Sequence, residues 1–95
     1  MRKPKNPYPL SATQLFVLQS MADGMQLYHV DDPLGFDRAY LMDGYRNFTL
    51  VRLPTFQSLF KGNYIKATDQ KLDYRRTFFA IDDRGMAALE HHRSR

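Results

Sequence analysis

"RRTFFAIDDRGMAALEHH", residues 75–92, decides the fold because its pattern changes from that of a strand to that of a helix. The first part alternates as a β-strand does, and the second part is typical of a short helix. Asp82 stands between them as a helix N-cap, and Met86 and Leu89 are predicted to face the core. The stretch therefore predicts a strand that leads directly into a closing helix.

The residues before this stretch predict a helix followed by a β-hairpin. "LPTFQSLFKGN", residues 53–63, places Pro54 at a first helical position and ends in Gly and Asn, which tolerate left-handed geometry. Its apolar residues, which recur at helical spacing and are expected to face inward, are Phe56, Leu59 and Phe60. "YIKAT", residues 64–68, would pair with the strand that follows the polar turn "DQKLD", residues 69–73.

The first helix is predicted in "LSATQLFVLQSMADG", residues 10–24. Ser11 and Gln14 have the spacing of a capping box, and Gly24 supplies a left-handed stop. Leu10 before the cap and Leu15 inside the helix are placed to form a hydrophobic staple. The apolar stripe is predicted to contain Leu15, Leu18 and Ala22, with Val17 and Met21 beside it.

The helical period is lost between residues 25 and 53. "MQLYHV" and "AYLMDG" are predicted as short strands on either side of "DDPLGFD", residues 31–37, and "FTLVRL", residues 48–53, continues extended. A helix over "DRAYLMDG", opened by Asp37, is the alternative. The predicted order is helix, strand pair, helix, β-hairpin, helix, which is an α+β fold.

Composition limits the chain to one domain and gives it a modest basic excess. Its 95 residues, 43% hydrophobic, suffice for a single core, and the absence of Cys excludes disulfides and Cys-ligated zinc. No apolar run reaches the roughly 18 residues of a membrane span, so we expect a soluble, cytoplasmic protein with no membrane partner. The net charge of +4 resides in a basic tail, residues 1–9, and a basic end, residues 93–95, that flank the domain at 10–92.

The second half of the chain resembles bacterial winged-helix domains. "TFQSLFKGNYIKAT" followed by "RRTFFAIDDRGMAALE" is similar to a recognition helix that leads into a two-stranded wing and a closing helix. "LSATQLFVLQSMADG" looks like the first helix of that family, and "AYLMDGYRNFTLVRLPTFQSL", residues 39–59, resembles small prophage and plasmid proteins with a strand pair in that place. The resemblance implies a winged-helix fold, double-stranded DNA as partner and a role in transcription regulation. A homodimer built in part from Met86 and Leu89 would extend its specificity.

The candidate DNA-binding residues fall into two sets. On the predicted recognition helix the exposed residues would be Arg52, Thr55, Gln57, Ser58 and Lys61. Gln suits an adenine edge, and Lys or Arg suits phosphate or guanine. On the wing the residues that could reach flanking phosphates are Lys66, Lys71, Arg75 and Arg76. Each set could equally be a solvated polar surface.

The alternative function is that of a phage-encoded inhibitor or adaptor that binds a protein partner. Its surface would be the acidic, Tyr-rich middle segment, with Tyr28, Asp31, Asp32, Phe36, Asp37, Tyr40 and Tyr45. His29 lies near these carboxylates, but their spacing matches no known metal motif, so no metal is expected. No catalytic motif is present, His91 and His92 are adjacent and diverge on a helix, and neither enzymatic activity nor a cofactor is predicted.

Overall fold

The computed structural model describes residues 8–31, 34–35, 37–44, 47–73 and 76–93, with only the backbone of 71–73. Within these residues the elements follow the order α1 (Ala12–Ala22), β1 (Gln26–Val30), β2 (Arg38–Met42), β3 (Phe48–Val51), α2 (Leu53–Lys61), β4 (Ile65–Asp73), β5 (Arg76–Ile81) and α3 (Asp83–Arg93). The fold is α+β, as predicted. Three strands, rather than a pair, separate α1 from α2.

The five strands form one antiparallel sheet in the order β3-β2-β1-β5-β4. β1 therefore lies at the centre, between β2 and β5, and joins the first three strands to the predicted hairpin. Residues 38–42 form strand β2 and not the alternative helix that Asp37 would have opened. The hairpin of β4 and β5 is one end of this continuous sheet.

One core joins all three helices to one face of the sheet. It contains Val17 and Leu18 from α1, Leu59 from α2 and Leu89 from α3, packed with buried strand residues such as Leu27. Because side chains alternate along a strand, the next residue, Tyr28, points to the other face. The helices thus cover a single face, and no described helix covers the opposite one.

Local sequence signals set both ends of α1. The Gln14 N–H donates to Ser11 Oγ at 3.2 Å, and the Ser11 N–H donates to Gln14 Oε1 at 2.7 Å, which completes the predicted capping box. Gly24 follows the helix with a φ of 105°, in the left-handed region where it has no steric cost. Ala22 is exposed, so it is not part of the buried stripe formed by Val17, Leu18 and Met21.

The end of α2 and the start of α3 also follow the sequence signals. Asn63 has a φ of 63°, and the Tyr64 N–H then donates to the Leu59 carbonyl at 3.0 Å, which closes α2. At α3 the Asp82 carboxylate accepts a hydrogen bond from the Asp83 N–H at 2.7 Å, and the Asp82 carbonyl accepts from Met86 N–H. Both predicted helix boundaries are correct to within two residues.

Two predictions about the second half of the chain are wrong. The "DQKLD" segment is not a turn: β4 continues to Asp73, because register shifts between Ala67 and Asp73 absorb the extra residues within the strand. Phe60 and Met86 were expected to face inward, but each is 47% exposed. Phe56 and Leu59 fill the core from α2, and Ala88 and Leu89 fill it from α3, so Phe60 packs only at the margin of the core, against Phe79.

Candidate functional site

The outward side of α2 carries most of the polar side chains that the sequence assigned to a recognition helix. Gln57, Ser58 and Lys61 are exposed along it, and Arg52 is exposed at the N-cap. Thr55 is half-buried and lines a groove of about 560 Å³ between α1 and β3. Four of the five predicted residues are therefore on the solvent side of this helix.

Aromatic contacts hold α2 against the sheet. The Phe56 ring stacks on the His29 imidazole of β1, with centroids 5.1 Å apart and planes 9° apart, and meets the Phe79 ring of β5 edge-on at 4.9 Å. Phe60 adds a second contact to Phe79, at 5.5 Å. The helix is thus fixed to two strands, and its polar side chains have a defined direction.

The two wing residues whose side chains the structure describes, Lys66 and Arg76, do not join the α2 surface. Lys66 pairs with Ala80 and follows the buried Ile65, so strand alternation points it away from the helices. Arg76 pairs with Val30 and points the same way. The side chain of Lys71 and all of Arg75 lie outside the described residues. Residues 76–79 of β5 are paired to β1, so this part of the hairpin belongs to the continuous sheet.

Aromatic side chains cluster on the sheet face that the helices leave uncovered. We call this the open face; its described side chains in the paired rows include Tyr28, Val30, Arg38, Tyr40, Met42, Phe48, Leu50, Lys66, Arg76 and Phe78. Tyr28 lies at the centre of this cluster. Its ring stacks on Tyr40 at 5.4 Å and meets Phe78 and Phe48 edge-on at 6.0 and 6.4 Å. Strands β1, β2, β3 and β5 each contribute one ring.

The electrostatics of the open face are set by phenols beside guanidinium groups. Burial raises the pKa of the Tyr28 phenol above its ordinary value of 10.0, the nearby Tyr40 raises it further, and the positive charge of Arg76 opposes both. Arg38 Nη1 lies 3.5 Å from the Tyr40 hydroxyl. Tyr28 is therefore neutral at physiological pH, and the positive charges lie beside the rings.

The surface predicted for a protein partner is divided by the sheet. Tyr28 and Tyr40 are on the open face, whereas Asp31 and Asp37 adjoin His29 on the helix-covered side. Asp32, Phe36 and Tyr45 lie outside the described residues. The acidic and aromatic parts of the segment do not form one described surface.

His29, Asp31 and Asp37 form the one described grouping of three potential metal ligands, with ligand atoms within 4.8 Å of one another. Both imidazole nitrogens already face carboxylates: Nδ1 is 3.2 Å from Asp31 and Nε2 is 3.6 Å from Asp37. A bound cation would have to displace these contacts. The arrangement ties together the two ends of the β1–β2 connection, which suffices to account for the cluster.

Sequence reasoning did not group Arg38, Phe48 and Phe78 with Tyr28 and Tyr40 on one surface. A signal was present in β2, because Tyr40 lies between the buried residues Ala39 and Leu41. The rings come together only through the pairing register of four strands, and that register cannot be predicted from the sequence of any single strand.

Comparison of the chain with protein-family models, curated protein sequences and solved structures found no match. None of the helices in the described ranges has the length and apolar character needed to cross a membrane.

Proposed function

We propose that the protein binds double-stranded DNA through α2. The observation that carries this proposal is the outward side of that helix, where Gln57, Ser58 and Lys61 are exposed while Phe56 anchors the opposite side to the sheet. A major groove about 12 Å wide accepts one α-helix. The outward side of α2 has the size and the polar chemistry for that groove.

The side chains of α2 support distinct roles in this complex. Gln57 can form two hydrogen bonds to an adenine edge, and Arg52 and Lys61, one near each end of the helix, can contact phosphates or guanine. Lys66 and Arg76 point away from α2 and take no part in duplex binding. The proposed interface is therefore narrower than the one predicted from the sequence.

The proposal agrees with the winged-helix resemblance and extends it. In such a domain α2 would be the recognition helix, β4 and β5 the wing and α3 the closing helix, while β1 to β3 take the place of a supporting helix. One short helix reads only a few base pairs, so a two-fold dimer is expected. Of the two residues predicted for that dimer, Leu89 is buried in the core and only Met86 is available. Such a protein would be a cytoplasmic regulator of phage or plasmid type.

The test is a fluorescence-anisotropy titration of a mixed-sequence duplex with the wild type, Lys61→Ala and Lys66→Ala. The two variants lose the same charge from two exposed lysines, but only Lys61 is on α2. We expect Lys61→Ala to weaken binding roughly fivefold and to lower the salt slope by about one unit, and Lys66→Ala to change affinity less than twofold.

Equal losses in the two variants would place duplex binding elsewhere than on α2. Absence of duplex binding at about 50 mM salt, where phosphate contacts are stronger than at physiological salt, would overturn the function itself. The search would then turn to a protein partner.

A further inference from the structure

The open face combines exposed apolar rings with positive charge. Phe48 is 55% exposed and Leu50 is 64% exposed on the edge strand β3, and Tyr40 is half-buried beside them. A row of paired positions crosses four strands through Leu50, Tyr40, Tyr28 and Phe78. Exposed apolar surface of this extent on a small domain marks a binding surface.

The charge on this face favours an anionic occupant over a second copy of the chain. Arg38, Lys66 and Arg76 are basic, and the register pairs Arg76 with one acidic residue, Asp73, so basic residues outnumber acidic ones in the paired rows of this face. Two copies packed face to face by a two-fold axis would bring two sets of these three basic residues together. An anionic ligand would find both complementary charge and rings.

The geometry also distinguishes a single strand from a duplex. Five strands about 4.8 Å apart make a platform roughly 19 Å wide, whereas a major groove is about 12 Å wide and accepts a helix or a two-stranded ribbon. The bases of a duplex are stacked on one another and present only their edges. Unstacked bases of a single strand can instead lie on aromatic rings while cations contact the phosphates.

We propose that the open face binds single-stranded nucleic acid. Phe48 and Tyr40 stack on bases, Tyr28 contacts both of those rings and is itself supported edge-on by Phe78, and Arg38 and Arg76 contact the nucleic-acid backbone. The site is on the face of the sheet opposite to α2, so it is a second binding surface that does not depend on duplex binding.

The test is an anisotropy titration of labelled 15-mer oligodeoxythymidine and oligouridine with the wild type, Phe48→Ala, Tyr40→Ala, Tyr40→Phe and Phe60→Ala. Phe60 is the matched control, because it is a comparably exposed Phe on the helix-covered side. We expect Phe48→Ala and Tyr40→Ala to lose at least about fivefold in affinity, and Tyr40→Phe, which keeps the ring, to stay within about twofold of the wild type. Phe60→Ala should bind as the wild type does.

The two oligonucleotides show whether DNA or RNA is preferred, and urea unfolding of every variant separates lost binding from lost folding. Equal losses in Phe60→Ala, unchanged binding in Phe48→Ala, or no binding at 50 mM salt would each overturn the proposal. A dimer in light scattering that dissociates in Phe48→Ala would also overturn it, in favour of a second copy on this face. Lys61→Ala, which tests the duplex site, should leave single-strand affinity unchanged.

Discussion

Gly85 shows how a single residue fixes the approach of α3 to the sheet. It is buried near the start of the helix, and a Cβ added there would overlap the backbone carbonyl of Tyr64 and come within 2.7 Å of Ile81 Cγ1. The same carbonyl accepts the Asp82 N–H at 2.9 Å. Because a backbone atom in a hydrogen bond cannot move aside freely, only Gly fits this position.

We therefore expect Gly85→Ala to lower the free energy of unfolding by about 1–3 kcal/mol, as overpacking does. This loss would outweigh the higher helix propensity of Ala, which favours Ala over Gly by roughly 1 kcal/mol in a helix. Gly44→Ala is the control, because nothing lies within 4 Å of its added Cβ. Urea unfolding measures both. A Gly85→Ala variant as stable as Gly44→Ala would mean that α3 sits farther from Tyr64 than the structure shows.

At the scale of elements, the start of helix α1 is stabilised by one side-chain hydroxyl, that of Ser11 in the capping box. Ser11→Ala removes the bond to the Gln14 N–H, and we expect a loss of about 1 kcal/mol in the free energy of unfolding. Thr13→Ala changes an exposed residue of the same turn and should stay within about 0.5 kcal/mol of the wild type. Denaturant midpoints at constant m-value would show the difference, and equal midpoints would contradict the cap.

The elements that were predictable are those whose signals are local. A cap at Ser11, a left-handed Gly24 and Asn63 after α2 each depend on a few neighbouring residues, and the structure confirms all three. The length of β4 was not predictable, because the register shifts that let polar residues stay in the strand arise from its pairing with β5. The helical spacing of Phe60 likewise predicted a core residue, but Phe56 and Leu59 fill the space between α2 and the sheet.

The candidate site was less predictable than the fold for the same reason. The sequence placed Lys66 and Arg76 with α2, and Tyr28 and Tyr40 with the acidic loop. The pairing of β1 with β5 instead brings the rings and Arg76 to one face. Residue types were informative, but the surface that each side chain joins depends on a register between distant segments.

On the scale of the whole molecule, the helices on one face of the sheet separate the two proposed binding surfaces. The outward side of α2 and the open face lie on opposite sides of a helix layer and a sheet layer. Packed layers are about 10 Å apart, so phosphates bound on the two outer surfaces would be farther apart than the Debye length of about 8 Å at physiological salt, and because both would lie in solvent their repulsion would be largely screened. The two ligands should therefore bind at the same time.

The measurement is a titration of labelled oligodeoxythymidine in the presence of saturating unlabelled duplex. We expect the affinity for the single strand to stay within about threefold of its value without duplex, because mutual repulsion is largely screened. Sedimentation should then show one species that contains protein and both nucleic acids, and Lys61→Ala should lose the duplex from it while keeping the single strand. Displacement of the single strand in proportion to the duplex added would mean that both ligands use one surface. The positions of Lys61 and Phe48 on opposite sides of the sheet would then not correspond to two separate binding sites.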